Sequence, residues 1–179
     1  LDEDASRRVV DILSDNSSVL FSRPLYANGH GIHCRMACLG RRWIASTGEY
    51  EDDDKKNGKV VEIPTELLTL ASNALRACVE VDSSLSLADF DVCIANFYEK
   101  KDGKMGLHSD DSERDLTLPV LSISLGFTGH FLFGEQRLKL ESGDVLAFGG
   151  PSRLVKHGVE RVSPPKRRRL SSSNKSTQP

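Results

Sequence analysis

The chain has 179 residues, enough for one domain with a buried core. At 38% hydrophobic, 28% charged and a formal net charge of -2, its overall charge gives no sign of a nucleic-acid binder, and no apolar run is long enough to span a membrane. The cysteines Cys34, Cys38, Cys78 and Cys93 form no C-x-x-C pair, so reduced intracellular thiols are expected rather than a disulfide scaffold. No segment reads as a signal peptide. The chain opens on Leu1, as an excerpt of a longer protein would.

Residues 4–13 set Val9, Val10, Ile12 and Leu13 among polar side chains, the pattern of a short amphipathic helix that ends at Asn16-Ser17-Ser18. From 19 to 50 the glycines at 29, 31, 40 and 48 interrupt apolar and aromatic residues, which predicts short strands and loops. Residues 51–59, opening on Glu51-Asp52-Asp53-Asp54, read as a solvated loop. Pro64 suits a helix start, and Leu67, Leu68, Leu70, Ala71, Ala74 and Leu75 follow at helical spacing, predicting a helix over 64–80. Beyond Phe90 the pattern turns to strands: 92–98, a turn at 100–104, then 120–125, where apolar residues alternate with Ser. Further strands are expected at 130–133, 137–140 and 144–148, with a last one beginning at 154–157. Many short strands with Gly turns argue a sandwich or jelly roll. The stretch 163–179 is Ser, Lys, Arg, Pro and Asn with one Leu, which reads as disordered or as an edge segment.

One constellation in this β-rich half carries chemistry. His108-Ser109-Asp110 follows a strand, and His157 stands 47 positions after the Asp. Two imidazoles and a carboxylate can occupy one face of an Fe(II) ion and leave the opposite face open, as in non-haem iron oxygenases. A bare His-x-Asp is common by chance, and taken alone it is more often two unrelated histidines and a surface Asp. His30, His33, Cys34 and Cys38 lack structural-zinc spacing and read as local packing. Cys78 and Cys93 read as small core residues.

The surrounding words alter the balance at the His-x-Asp. Asn96-Phe97-Tyr98, Leu107-His108-Ser109-Asp110, Leu121 to Gly126, Phe131-Leu132-Phe133-Gly134, Ser142-Gly143-Asp144-Val145, Gly149 to Leu154 and His157-Gly158-Val159 come in one order with characteristic spacing. Together they resemble the AlkB family of Fe(II)/2-oxoglutarate-dependent dioxygenases, over roughly 24–162 and most densely over 92–160. The resemblance implies a mainly β fold with flanking helices, a double-stranded β-helix (jelly roll) with an N-terminal helical and lid extension. It divides the chain into a catalytic domain at 1–162, with extension and nucleotide-recognition lid over 1–89 and jelly-roll core over 90–162, and a basic, Ser-rich tail or degraded closing strand at 163–179.

The same resemblance implies the site. Fe(II) would be held by His108, Asp110 and His157, and the cosubstrate 2-oxoglutarate would meet Asn96, Tyr98 and Ser122, with O2 as the oxidant. The segment from Pro24-Leu25-Tyr26 through Trp43 resembles the family's lid, which makes Trp43 and Tyr50 the candidates to pack against a flipped base. Trp43, the only Trp, reads equally well as a core anchor. His130 corresponds to no ligand position and reads as structural.

Two departures stand out. The family closes on a strand carrying R-x5-R that serves the cosubstrate, and no such strand follows Val162. Arg169-x5-Lys175 keeps the spacing, with a Lys point charge in place of a bidentate Arg. Few apolar residues accompany it, so the tail reading is preferred, and Pro164-Pro165-Lys166-Arg167-Arg168-Arg169 also reads as a nuclear-import or nucleic-acid patch. Second, Ser112 stands two positions after Asp110, where bacterial members carry an acidic residue that reads the alkylated base; Glu113 or Asp111 could substitute.

The activity so implied is oxidative demethylation of an N-alkylated nucleobase in DNA or RNA, releasing formaldehyde, succinate and CO2. The alternatives are a catalytically impaired relative that acts as a binding module, and a dioxygenase that acts on protein or lipid. Alkylated nucleic acid is the expected partner, with no membrane association, a monomeric state, and a nuclear or cytoplasmic location.

Overall fold

The computed structural model describes residues 1–51, 60–99 and 103–164. The acidic loop expected at 51–59 falls almost wholly outside these residues, as do Arg169, Lys175 and most of the tail.

The described chain is mainly β with two helices. Helix α1 (Glu3–Asp15) starts where Asp2 accepts a hydrogen bond from the Ala5 backbone N–H at 2.7 Å, and Glu3 and Asp4 complement the helix dipole in its first turn. It buries Ala5, Ser6 and Val9. Helix α2 (Thr65–Val81) begins directly after Pro64, as its spacing predicts, and buries Leu67 and Leu75.

Between and after the helices the described residues form ten strands. β1 (Arg35–Leu39) pairs antiparallel with β4 (Cys93–Phe97), Met36 opposite Asn96 and Cys38 opposite Ile94. β2 (Trp43–Ile44) and β3 (Glu49–Tyr50) form a small hairpin that sets Trp43 opposite Tyr50. A four-stranded sheet follows in the order β5-β10-β7-β8, made of Met105–His108, His157–Ser163, Thr128–Phe133 and Gln136–Leu140. β6 (Val120–Ile123) pairs with β9 (Val145–Phe148), Ser122 opposite Leu146.

Phe148 of β9 meets Phe133 of β7 edge-on, ring centroids 5.2 Å apart, and lies 5.0 Å from the His157 ring. The β6-β9 pair thus packs on the face of the four-stranded sheet that carries His157. A second core joins the N-terminal half to the strands. Buried Ile32, Cys34, Met36 and Ala45 pack against Trp43, Ile94, Tyr98 and Met105. This apolar contact fixes the β2-β3 hairpin relative to the start of β5.

Two local expectations are corrected. His108 is the last residue of β5 rather than a residue after a strand, because it pairs with His157 across the sheet. The last strand begins at His157 itself and not at Leu154. A 3-10 turn over Gly150–Ser152 continues through hydrogen bonds from Arg153 N to Gly150 O and from Val155 N to Ser152 O, so extension starts only where His157 finds His108 and Phe133 as partners. Among the described residues β4 and β6 each pair with one neighbour, so the sheets do not close into a complete jelly roll.

Candidate metal centre

His108, Asp110 and His157, distant in sequence, meet at one end of the four-stranded sheet. His157 Nε2 lies 3.4 Å from one Asp110 carboxylate oxygen, and His108 Nε2 lies 3.6 Å from the other. The imidazole centroids are 4.5 Å apart and tilted by 54°. One donor atom from each residue falls within 4.8 Å of the others.

Both rings are oriented for metal rather than for each other. His108 Nδ1 lies 2.9 Å from Gly106 O, and His157 Nδ1 lies 3.0 Å from Val155 O. A carbonyl only accepts, so each Nδ1 carries the proton when the ring is neutral. Each Nε2 lone pair then points at Asp110, which is the tautomer a metal requires. Two neutral imidazoles and one carboxylate suit a divalent iron with open positions.

The electrostatics favour a positive charge at this point, either a metal or, in its place, a proton on His157 Nε2. Burial would raise the Asp110 carboxyl, but the hydrogen bond and charge of His157, helped by His108 and Arg153, hold it below the usual carboxylate range. Burial would likewise lower the His157 imidazole, yet Asp110 and the Val155 carbonyl raise it above its ordinary value against opposition from Arg153. Phe131, 5.7 Å away and nearly parallel, and Phe148 wall the His157 ring from solvent.

The β2-β3 hairpin is tied to the loop just beyond Asp110. Trp43 Nε1 donates to Ser112 Oγ at 3.4 Å, and Ser112 Oγ donates to Gly48 O at 2.5 Å. Tyr50 OH donates to a Glu113 carboxylate oxygen at 2.7 Å, and the Arg41 guanidinium lies 4.4 Å over the Tyr50 ring. Burial, then the bond and charge of Glu113, then the charge of Asp110, push the Tyr50 phenol far above its ordinary pKa. Trp43 therefore packs on the buried N-terminal cluster and also reaches the metal loop.

The other site candidates lie on β4, just after it, and on β6. Asn96 lies on β4, its side-chain oxygen 3.7 Å from the Cys34 thiol, and Tyr98 follows that strand against the N-terminal core. Burial raises the Tyr98 phenol, with Cys34 adding to it. Ser122 sits on β6. His130 bonds Ser163 on the neighbouring strand, in keeping with a structural part. Arg153 is a residue of this site that sequence reasoning misses; the structure buries it, 3% exposed, with Nη1 donating to Asp110 O at 2.6 Å. Its signals in the sequence are its place in the 149–154 segment and its spacing of four positions before the distal His.

Residues 1–177 match the family model for the 2OG-Fe(II) oxygenase superfamily. An alpha-ketoglutarate-dependent dioxygenase AlkB homolog of Caulobacter vibrioides is 48% identical, over 92% of this chain and 76% of that protein. The chain belongs to the AlkB family of these oxygenases. Within the family it is also similar to the Arabidopsis thaliana DNA N(6)-methyladenine demethylase ALKBH1D, 38% identical over 80% of this chain, and to the solved structure of OsALKBH1. That structure superposes with a TM-score of 0.80 at 32% identity, covering 93% of this chain and 85% of its own. The chain spans only 37% of the length of ALKBH1D. Membership implies Fe(II) and 2-oxoglutarate, and the two Nε2 atoms and one carboxylate assembled at His108, Asp110 and His157 fit the metal.

Proposed function

We infer that the chain is the oxygenase core of a nucleobase demethylase acting on N-methylated DNA or RNA. The observation that carries this reading is the triad itself, with both Nδ1 atoms committed to backbone carbonyls and both Nε2 atoms turned to Asp110. The family's relatives support the substrate class: ALKBH1D is named for N6-methyladenine in DNA, and an abh1 protein of Schizosaccharomyces pombe, 31% identical, is named a tRNA demethylase.

In this reading His108, Asp110 and His157 hold Fe(II), while Asn96, Tyr98 and Ser122 face 2-oxoglutarate. Bound together, iron, 2-oxoglutarate and O2 supply the oxidising power that hydroxylates an N-methyl carbon, which then leaves as formaldehyde. The chain's own residues do the rest. The carbonyls of Gly106 and Val155 fix the ring tautomers, Phe131 and Phe148 keep the His157 side dry, and Asp110 stays ionised through neutral pH. Trp43 and Tyr50 stand on a hairpin tied to the loop after Asp110, and in this reading they are the flat groups that grip an unstacked base. Glu113 or Asp111 is the acid on that loop that would meet a cationic base.

The finer architecture follows the same reading. Residues 1–89 form the extension and lid and 90–162 the jelly-roll core; among the described residues β4 and β6 each have one partner, which leaves an edge for a closing strand. Arg169 and Lys175 remain the proposed cosubstrate cations of residues 163–179. A monomer working in the nucleus or cytoplasm suits the basic cluster at 166–169. No helix among the described residues is long and apolar enough to cross a membrane.

The test is to incubate iron-loaded protein with 2-oxoglutarate and oligonucleotides carrying one methylated base, in DNA and in RNA, and to follow succinate and formaldehyde. Formaldehyde in stoichiometric step with succinate is expected. Succinate no higher than with His108→Ala would overturn the demethylase reading, and calorimetry with Mn(II) and 2-oxoglutarate would then decide whether a binding module remains.

A further inference from the structure

Asp110 is the one donor of the triad that no strand holds. β5 ends at His108 and β10 begins at His157, whereas the chain from 109 to 112 is irregular. A carboxylate on an untethered loop samples many positions, and binding a metal would have to freeze them.

Two consecutive stitches prevent that. Ser109 Oγ donates to Leu154 O at 2.9 Å. One residue on from Ser109 and one back from Leu154, the segments pair again in the opposite sense: Arg153 Nη1 donates to Asp110 O at 2.6 Å, while Arg153 Nε donates to Leu118 O at 2.8 Å. A guanidinium this buried is costly unless oxygens meet its donors, and two carbonyls of the loop between β5 and β6 do so. The same short segment also sets the second imidazole, since Val155 O receives His157 Nδ1 and Val155 N is bonded to Ser152 O. Residues 152–155 therefore hold the loop of Asp110 with one set of groups and the ring of His157 with another.

We propose that Arg153, backed by Ser109, is a positioning residue that sets the Asp110 carboxylate against His108 and His157 and so determines the affinity and geometry of the metal centre. The proposal rests on the triad being that centre. Neither residue supplies a ligand atom: Arg153 bonds the main-chain oxygen of Asp110, and Ser109 bonds that of Leu154. The middle residue of His-x-Asp thereby acquires a task in this chain. Lys at 153 would keep the charge but lose the planar fork that spans two carbonyls.

The test compares the full chain with Ser109→Ala, Arg153→Lys, Arg153→Ala and the Ser109→Ala/Arg153→Lys double variant. Co(II) serves as the probe, titrated by calorimetry and by its visible absorption, with near-ultraviolet circular dichroism reporting the fold. Arg153→Lys and Arg153→Ala should weaken Co(II) binding by about 10–100-fold and change its spectrum. Ser109→Ala should weaken it by about 2–10-fold. The double variant should lose less than the product of the single losses, because both stitches hold one loop. Millimolar guanidinium should restore part of the Co(II) affinity of Arg153→Ala. A folded Arg153→Lys that binds Co(II) within twofold of the parent, with an unchanged spectrum, overturns the proposal. If both Arg153 variants fail to fold, Ser109→Ala decides: an unchanged Co(II) affinity there overturns the proposal, and the expected loss sustains it. A parent chain that binds no Co(II) would sink the metal centre itself, an outcome distinct from equal binding by parent and variants.

Discussion

Gly158 follows the distal histidine, and replacing it by Ala should damage the metal centre without touching a ligand. A Cβ built there would lie 2.7 Å from Met105 O, 2.8 Å from Gly106 O and 3.1 Å from Gly106 C, all backbone atoms of β5. To reach an ordinary contact of 3.4 Å the Met105 carbonyl would have to retreat by about 0.7 Å. β5 and β10 are directly paired here, His157 opposite His108 and Val159 opposite Met105, with an irregular register between them. The retreat therefore opens the ladder that brings the two imidazoles together. It also moves Gly106 O, the acceptor that fixes the His108 tautomer. Overpacking of this kind costs about 1–3 kcal/mol, which for a chain of this size lowers Tm by roughly 2–12 °C. A misplacement approaching 1 Å costs on the order of 100-fold in rate. Gly158→Ala should accordingly show a lowered melting temperature, weaker Co(II) binding and a fall in succinate release of roughly 10–100-fold. A variant with the parent's Tm and Co(II) affinity would refute the close-approach argument.

Further outcomes follow from the same geometry. Tyr50→Phe removes the 2.7 Å bond to Glu113 and should cost about 0.5–1.5 kcal/mol in urea unfolding; an unchanged midpoint would show that this bond adds nothing to the tie between hairpin and loop. Proton and metal compete for His157, whose imidazole is raised above its ordinary value, so Co(II) affinity should drop by up to about tenfold per pH unit below that raised value; a flat profile from pH 8 to 5.5 would count against His157 as a ligand. Burial pushes the Cys34 thiol up to about 11 against the pull of Arg23, and burial with Cys38 does the same for Cys93. Both thiols should resist a thiol-disulfide reagent at pH 7 in the native protein and react once urea unfolds it. Because their folded values lie above the unfolded ones, the stability they favour is intact at neutral pH and is lost as pH rises from about 9 toward 11; a denaturation midpoint that climbs over that window would contradict this.

Some of this was legible in the chain alone. Pro64 with apolar residues at helical spacing marked α2, and the Ser alternation of 120–125 marked β6, because both signals are local and repeat with the period of the element they form. The ligand set was legible too, since His108, Asp110 and His157 are few and chemically specific. The bounds of β5 were not, because Met105-Gly106-Leu107-His108 has no clear alternation and is held by partners in β10, about fifty residues later. Nor could the sequence place the start of β10, where a 3-10 turn continues into residues with strand-like composition.

The tie between Tyr50 and Glu113 spans 63 residues, that between Trp43 and Ser112 spans 69, and that between Arg153 and Asp110 spans 43. None has a period or a fixed spacing by which a reader of the chain could find it. The sequence by itself determined which residues could bind a metal, because ligand chemistry is a property of side chains. The tertiary structure alone decided which imidazole nitrogens face Asp110 and which buried cation steadies its loop, because those depend on carbonyls that packing brings into reach.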